Sequence, residues 1–257
     1  MNHIEPLVPF LILGIFAAGL VIERVAPARP LPTVRGWYLR SGIIFVVTLA
    51  LNAVVPALVA AAMGHRSPLH LDRLGVLGGA AVSFLANDFF AYWVHRAQHR
   101  SPWLWRWTHQ LHHSAERVDV IGASYFHPFD IALNAAVSAV VVGLLGVTPD
   151  AAALGGVAFV FLAVFQHLNV KTPVWLGYLV QRPEGHSVHH ARGVHAYNFG
   201  NLSVWDLAFG TFRNPAAFTE EAGFYDGASA RVFEMLAGRD VGEPPVPSSP
   251  LEYKSAA

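Results

Sequence analysis

Long, nearly uninterrupted runs of hydrophobic residues dominate the first two thirds of the chain. Several approach the roughly 20 residues that an α-helix needs to cross the hydrocarbon core of a bilayer. They cover residues 6–22, 42–63, 75–94, 131–147 and 151–168. Little more than Thr148, Pro149 and Asp150 separates the last two runs, which predicts a tight helical hairpin. The pattern predicts an all-α fold, a polytopic transmembrane helical bundle with four to five spans.

Composition supports a membrane protein. Hydrophobic residues make up 54% of the 257 residues and charged residues only 13%, which is too apolar for an ordinary soluble domain. The formal net charge is zero, so no basic excess indicates a nucleic-acid partner. Cysteine is absent, which excludes disulfides, thiolate zinc sites, iron–sulfur clusters and cysteine nucleophiles. A bound metal ion must therefore have nitrogen and oxygen ligands.

The arginines predict how the bundle is oriented. The loop after the first run contains Arg24, Arg29, Arg35 and Arg40, and the loop after the second contains Arg66 and Arg73. Because basic residues concentrate in cytoplasmic loops, we expect the first loop to face the cytoplasm. Alternation then places residues 95–129 and the chain after 168 on the same side. The sequence thus predicts a multi-pass membrane protein with a cytoplasmic helical cap.

Histidines concentrate in that predicted cap. Of fourteen histidines, eleven lie between His95 and His195, and eight of these form the segments "HRAQH", "HQLHH" and "HSVHH". Positions i, i+3 and i+4 of a helix fall within an arc of about 100°. We therefore expect each segment to point its imidazoles in one direction. The residues concerned are His95, His99, His109, His112, His113, His186, His189 and His190.

Metal binding explains this density better than core packing does. Adjacent imidazoles repel one another when protonated, whereas neutral imidazole is a common ligand of iron, zinc, copper and nickel. Eight imidazoles exceed the three or four that one tetrahedral zinc ion takes, so two ions are the natural number. A lone pair such as "HRAQH" is often incidental, but three such segments together favour metal. No glutamate follows His95, which argues against an HExxH zinc protease.

Three further histidines are weaker candidate ligands. His167 lies at the end of the fifth hydrophobic run, where an ionisable residue is a candidate for function. His127 precedes Pro128, and His195 follows the last histidine segment. For each, the alternative is an interfacial histidine that makes ordinary hydrogen bonds.

Polar residues near the histidines are candidates for orienting them. Asp88 lies two helical turns before His95 on the same face, so its carboxylate is expected to hold a liganding imidazole through the second ring nitrogen. Pairing with an arginine is the alternative. Asn198, Asn201 and Asp206 are expected to act similarly, or to cap a helix.

The segments "DFFAYWVHRAQH", "HQLHHS", "HSVHH" and "NFGNLSVWDLAFGTF" resemble the fatty acid hydroxylase and sterol desaturase superfamily of integral membrane oxidases. The resemblance covers residues 88–212, about half the chain. It implies a cytosolic cap that holds two iron ions, with dioxygen as co-substrate. Zinc can substitute for iron in preparations, because nitrogen sites bind zinc readily. It also implies the eight clustered histidines as ligands, with His167 as an addition and with His127 and His195 less directly. We expect a single domain over residues 1–240, with its catalytic region at about 82–213, and a disordered tail at 241–257.

The resemblance implies hydroxylation or desaturation of a C–H bond of a membrane lipid, and we favour hydroxylation because it needs fewer steps. No fused cytochrome b5 domain is evident, so separate electron donors, a ferredoxin or a cytochrome b5 type protein with its reductase, are expected. Sterol, fatty acyl chain, sphingoid base, carotenoid and lipid head group all stay open as substrates. A different class, a histidine-rich membrane transporter or binding protein for zinc or iron, is the alternative. Transporter sites, however, lie near the membrane midplane at broken helices, whereas these histidines cluster at the ends of predicted spans.

Overall fold

The structure is a computed structural model that describes residues 3–64 and 67–245. In these residues the chain forms α1 (Val8–Val25), α2 (Trp37–Met63), α3 (Gly75–Arg100), α4 (Pro102–Leu104), α5 (Gln110–His113), α6 (Pro128–Leu145), α7 (Pro149–Phe165), α8 (Pro183–His189), α9 (Ser203–Phe209) and α10 (Val232–Leu236). A π-helix, Trp105–His109, joins α4 to α5. Short 3-10 helices cover Glu5–Leu7, Leu71–Leu74, Gly122–Ser124, Val174–Tyr178 and Ala228–Ala230. Of the predicted tail, residues 246–257 lie outside the described residues.

The predicted helical transmembrane bundle is confirmed. Four helical segments are long and apolar enough to cross a membrane, namely Glu5–Val25, Trp37–Met63, Leu71–Arg100 and Pro128–Leu145, and α7 is a shorter apolar helix. The hydrophobic runs predict the helices better than they predict the helix ends, because a helix can continue through polar residues beyond its hydrophobic run. Thus α2 begins directly after the left-handed Gly36, and α3 continues past its hydrophobic run to Ser101 and Pro102. This extension of α3 places His95 and His99 on the helix itself.

The five long helices form an open ring. Helix α1 packs on α7, α7 on α3, α3 on α6, and α6 on α2. Within the described residues, α1 and α2 do not pack against each other along their lengths. Their aromatic contact is between Phe16 and Phe45, whose ring centroids are 4.8 Å apart. The ring of helices therefore has a gap between α1 and α2.

Small residues bring α3 and α7 close together. A Cβ atom on Gly155 of α7 would lie 2.9 Å from the carbonyl oxygen of Ala80, and one on Gly79 of α3 would lie 2.9 Å from the Cβ of Ala151. In lipid, such close backbone approach supplies van der Waals packing that the hydrophobic effect does not. The α3–α7 contact therefore has no room for a larger side chain at Gly79 or Gly155.

The segments between and after the long helices cover one end of the bundle. Glu23, near the end of α1, accepts hydrogen bonds from the backbone N–H groups of Val120 (2.9 Å) and Asn169 (2.8 Å). Trp37, at the start of α2, donates its indole N–H to Asp119 at 3.2 Å. The end of α3 and the start of α6 lie at this same end. That the covered end faces the cytoplasm stays a prediction.

Replacement of Gly155 by leucine should separate α3 from α7, because the new side chain has no space beside Ala80. We expect destabilisation of about 1–3 kcal/mol, the usual effect of overpacking, measured as a lower melting temperature in detergent. Gly14→Leu on α1 is the matched control, because a Cβ there has no neighbour within 4 Å. Equal melting temperatures for the two variants would contradict this account of the packing.

Candidate metal centre

The covered end of the bundle contains two adjacent groups of histidines. His95, His99, His109, His113 and His189 form group I, and His112, His167, His186 and His190 form group II. In each group, one ring nitrogen from every member lies within 4.8 Å of the others. The rings of His113 and His190 stack across the boundary with centroids 4.3 Å apart, so the groups are direct neighbours.

Each HxxHH segment is divided between the two groups, which corrects the expectation that it points in one direction. His109 and His113 enter group I, but His112 enters group II; His186 and His190 enter group II, but His189 enters group I. The helix accounts for this division. Residues i and i+4 are about 40° apart, whereas i+3 and i+4 are about 100° apart, so the pair at i and i+4 shares a group and i+3 does not.

Group II is held together by nitrogen atoms that face one another. The Nε2 atom of His167 lies 3.2 Å from the Nε2 atoms of both His112 and His186, and that of His186 lies 3.2 Å from His190. Nδ1 of His167 donates to the carbonyl oxygen of Ala163 at 2.7 Å, so in the neutral ring its Nε2 carries a lone pair. Two further nitrogens aimed at that lone pair require a proton or a cation between them.

Group I has a uniform hydrogen-bond pattern. All five Nε2 atoms are buried and have no hydrogen-bond partner among the described residues. Four of the five Nδ1 atoms are bonded to an oxygen, and Nδ1 of His113 lies 3.0 Å from Nδ1 of His195. Because carbonyl and ionised carboxylate oxygens only accept, Nδ1 is the donor and Nε2 is free to bind a cation.

Three of these oxygens belong to alternate residues of one short segment. The carbonyl groups of His195, Tyr197 and Phe199 accept from His99 (2.7 Å), His189 (2.7 Å) and His95 (2.8 Å) respectively. We call residues 195–199 the carbonyl loop. His195, Tyr197 and Asn198 adopt left-handed φ angles of 41°, 67° and 51°. Such angles cost roughly 1–2 kcal/mol per residue, so neighbouring bonds must hold the loop in this shape.

Buried polar side chains hold the carbonyl loop. Asp206 accepts from the N–H groups of Phe199 (2.9 Å) and Gly200 (3.0 Å). The amide of Asn198 donates to the carbonyl oxygens of Gly185, in α8, and Arg213, and accepts from the N–H of Arg213. Burial raises the pKa of Asp206, and the hydrogen bonds it accepts oppose that rise. Asn198 therefore acts on the histidines through the backbone.

The expectation that Asp88 holds an imidazole is wrong. Its carboxylate accepts from the N–H groups of Asn201 (3.1 Å) and Leu202 (3.0 Å) and from the indole of Trp205 (2.8 Å). Asp88 does lie on the same face of α3 as His95. However, residues 201–205 pass beside α3 and supply the hydrogen-bond donors that its carboxylate accepts from. Asn201 contributes its backbone N–H to Asp88, and its amide oxygen accepts from Gln166 at 3.1 Å. Asp88 thus ties α3 to the segment that follows the carbonyl loop.

The carboxylate that does contact a clustered histidine is Asp130. Its Oδ2 accepts from Nδ1 of His109 at 2.7 Å, and its Oδ1 accepts from Gln98 (3.0 Å) and Asn134 (2.6 Å). The histidine spacing and helix pattern of the sequence did not single out Asp130. One signal was available, since an acidic residue in the first turn of a helix that begins with His127-Pro128 faces the predicted cap.

Two of the candidate ligands lie outside both groups. Nδ1 of His127 accepts from the N–H of Phe129 at 3.0 Å, so the ring caps α6. His195 lies beside group I, where its ring contacts His113 and its carbonyl oxygen holds His99. Burial lowers the pKa of His195 to about 4, with a smaller effect from His109. His195 is placed to orient ligands rather than to join them.

The donor set fits metal ions. Burial, and then neighbouring imidazoles, hold the pKa values of His112, His113, His186, His189 and His190 well below the usual range, which keeps these rings neutral at pH 7. For a first-row metal at about 2.0–2.1 Å from each nitrogen, tetrahedral ligands lie about 3.3 Å apart, close to the 3.2 Å spacing in group II. The orphaned Nε2 atoms of group I provide a second set. The two groups can therefore hold two ions with all-nitrogen ligands.

Residues 80–211, just over half of the chain, match the sequence profile of the fatty acid hydroxylase family. The matched region begins in α3 and ends just after α9, so it contains every histidine of both groups. The chain belongs to the fatty acid hydroxylase family. The predicted resemblance is thereby confirmed.

The chain is also similar to several named enzymes. Ornithine lipid hydroxylase OlsE of Rhizobium tropici is 30% identical over 60% of this chain and 47% of its own length. The very-long-chain aldehyde decarbonylase GL1-9 of Oryza sativa subsp. indica is 30% identical over 51% of this chain and 52% of its own. Alkylglycerol monooxygenase of Xenopus tropicalis is 27% identical over 51% and 30%. The chain thus spans about half the length, or less, of these relatives. No solved structure is significantly similar to it.

Substitution of Asp130 by asparagine should weaken metal binding in this fatty acid hydroxylase family member, because His109 would lose its charged acceptor. Loss of a carboxylate behind a liganding histidine typically costs 10–100-fold in affinity. Metal retention during dialysis against graded chelator concentrations measures the effect. Asp150→Asn, at the other end of the bundle where the carboxylate accepts from Ile4, is the control. Unchanged retention in Asp130→Asn would contradict the proposed role of this carboxylate.

Substitutions of Asn198 should separate backbone strain from hydrogen bonding. Asn198→Gly keeps the left-handed backbone but loses the amide bonds, and should destabilise the protein by about 1–3 kcal/mol. Asn198→Ala adds the cost of a left-handed alanine, roughly 1–2 kcal/mol. We expect metal content and melting temperature to fall in the order parent, glycine, alanine. A glycine variant with the parent's metal content would show that these bonds do not hold the carbonyl loop.

Proposed function

We propose that this protein is a membrane-bound di-iron hydroxylase that inserts one oxygen atom of dioxygen into a C–H bond of a lipid. The second oxygen atom leaves as water, using two external electrons and two protons. One observation carries the proposal: two groups of buried, convergent histidine nitrogens lie side by side at the end of an apolar cavity between membrane-spanning helices. Membership of the fatty acid hydroxylase family supports it.

Groups I and II would each hold one iron ion through Nε2. Bound there, the irons would supply redox chemistry with dioxygen that amino-acid side chains lack. Histidine nitrogens bind zinc as readily, so the metal in a purified sample does not identify the native one.

The protein's own contribution is orientation. In group I, oxygen acceptors at Nδ1 fix four of the five rings, so their lone pairs converge before a metal binds. In group II, Nδ1 of His167 is fixed in the same way, whereas Nδ1 of His112, His186 and His190 has no partner among the described residues. Group II rings thus depend on packing, and the stacking of Phe126 on His112, with centroids 4.0 Å apart, is the clearest instance.

The cavity supplies the second contribution, the exclusion of water and the placement of a C–H bond. It has a volume of about 450 Å³ and includes His95 and His109 of group I and His112, His167 and His186 of group II in its wall. Aliphatic and aromatic side chains of α1, α2 and α7 form most of the remaining wall, together with a few polar side chains of α2, α3 and α6, among them Thr48, Asn52 and Asn134. A hydrocarbon fits this environment without the desolvation cost that a polar substrate would meet.

Two relatives are named for oxidation of lipids, an ornithine lipid hydroxylase and an alkylglycerol monooxygenase, which favours a lipid substrate and hydroxylation here. Electrons would come from separate donor proteins, a ferredoxin or a cytochrome b5 type protein with its reductase. The covered end of the bundle would face the cytoplasm, where such donors are found, in keeping with the arginine distribution.

Labelled dioxygen tests the proposal directly. Protein loaded anaerobically with iron should retain about two irons per chain. With ferredoxin, its reductase and a total lipid extract, it should consume ¹⁸O₂ and yield a lipid heavier by one ¹⁸O atom. A product that lacks two hydrogens and contains no ¹⁸O would replace hydroxylation by desaturation. No oxygen consumption by the iron-loaded protein, together with metal flux in vesicles, would overturn the proposal in favour of a transporter.

A pair of histidine variants tests which residues the activity needs. His112→Ala removes a member of group II and should lower the iron content by about one ion per chain and abolish oxidation. His127→Ala removes a histidine that caps α6 outside both groups, so most activity and both irons should remain. If the two variants lose iron equally, the division into liganding and capping histidines is incorrect.

A further inference from the structure

The cavity continues well beyond the histidines. Along α7 its wall runs from Ala163, one turn before His167, back to Ala152 in the first turn of the helix. At 1.5 Å per residue this is roughly 16 Å. On α1 the wall extends from Phe16 to Val8, again toward the uncovered end of the bundle. A molecule with one carbon at the histidines would therefore extend along the helices, across the membrane.

The gap between α1 and α2 gives the cavity an opening toward the bilayer. Leu49 and Asn52 of α2 line the cavity and are exposed. Nearer the histidines, the Phe16–Phe45 contact connects the two helices. A ligand can therefore enter sideways from the membrane between α1 and α2, below this aromatic pair.

The chemistry of the wall selects a hydrocarbon. The charged side chains that line the cavity are Asp88 and Asp130, and protein donors already occupy both carboxylates. The remaining wall combines bulky side chains, such as Phe16, Phe45 and Phe159, with the small residues of α7 and with the polar Thr48 and Asn52, so its width is uneven. A flexible chain adjusts to such a wall by rotation about single bonds, whereas a fused ring system does not.

Gly156 of α7 marks the middle of this path. It lines the cavity and is exposed, yet it lies on the side of the helix away from Ala158 and Phe161, the exposed residues that face lipid. A Cβ atom built on Gly156 meets nothing within 4 Å. The neighbouring Gly155 instead packs on α3. The empty space at Gly156 is therefore cavity space.

We infer that the cavity holds a single acyl chain of a membrane lipid, which enters between α1 and α2, and that Gly156 determines the length of chain accepted. The inference rests on the proposed function for the reaction at the histidines, but not for chain binding. A leucine at position 156 would fill the cavity near its middle, so the part beyond it, toward Val8 and Ala152, would become inaccessible.

Photolabelling tests chain binding without metal or dioxygen. The probe is a phosphatidylcholine with a diazirine at the end of one palmitoyl chain, in nanodiscs of unlabelled phosphatidylcholine. In the parent protein, mass spectrometry should find the label on the deep wall, near Val8, Ile12, Ala152 and Ala153. In Gly156→Leu, labelling of these four residues should fall at least several-fold, whereas Gly14→Leu, on the lipid-facing side of α1, should label like the parent.

Three results would overturn the inference. These are labels restricted to lipid-facing residues such as Phe161, equal deep labelling in Gly156→Leu and the parent, and stronger deep labelling by a diazirine sterol that the acyl probe does not displace. Melting temperatures of both leucine variants establish that they are folded. Product analysis with ¹⁸O₂ on the same samples separates the two proposals: deep labelling without oxidation refutes the hydroxylase alone, and oxidation without deep labelling refutes the acyl-chain site alone.

Discussion

The hydrogen bond from a histidine Nδ1–H to a fixed oxygen is the interaction on which the rest of this structure depends. An imidazole has two nitrogens, and a ring can present a lone pair through Nε2 only if Nδ1 holds the proton. Five histidines meet this condition through four backbone carbonyl groups, those of Ala163, His195, Tyr197 and Phe199, and through Asp130. Since backbone carbonyls are placed by the chain itself, the path of residues 195–199 determines the geometry of group I. The fold of the cap can thus be understood as the means of keeping that short segment in position.

Keeping it there requires buried charge, which is otherwise unfavourable close to a membrane. Asp88 and Asp206 accept hydrogen bonds from backbone N–H groups of residues 199–202, directly after the carbonyl loop. Burial of a carboxylate costs much less free energy when several N–H groups donate to it than when it is isolated. These bonds also offset the left-handed backbone of His195, Tyr197 and Asn198. The two acidic residues therefore act on the histidines of group I from a distance, through the backbone, and this explains how Asp88 is buried near the histidines without touching one.

Features that follow from local sequence patterns could be predicted, whereas contacts between distant parts of the chain could not. Hydrophobic runs predicted the long helices, and histidine spacing predicted which eight residues come together, because both follow from the helical repeat. The division of each segment between two groups also follows from that repeat, since i+3 and i+4 diverge by about 100°, but it becomes decisive only where a second segment approaches from the other side. The partners of Asp88 and Asp130 lie on separate parts of the chain, so helical spacing alone selected the wrong carboxylate. Likewise, hydrophobic periodicity does not predict that His127 caps α6 instead of binding metal, because the capping role depends on the exact residue at which α6 begins.

Two adjacent glycines let α7 both pack closely on α3 and line the cavity. Successive residues of α7 point about 100° apart, so Gly155 faces α3 while Gly156 faces the cavity. Gly155 allows the backbones of α3 and α7 to approach closely, and Gly156 leaves the cavity free of a side chain at that position. The bundle is held by the contacts that link α1, α7, α3, α6 and α2 in turn, so it is connected without packing of α1 on α2. The gap between α1 and α2 lies beside the cavity, where Leu49 and Asn52 line its wall. Helix α7 therefore packs tightly on α3 with one face and borders the cavity with another. The same helix ends at Phe165, two residues before His167, so this wall of the cavity leads directly to group II. A chain lying along α7 would therefore reach the histidines at His167, just beyond the end of the helix.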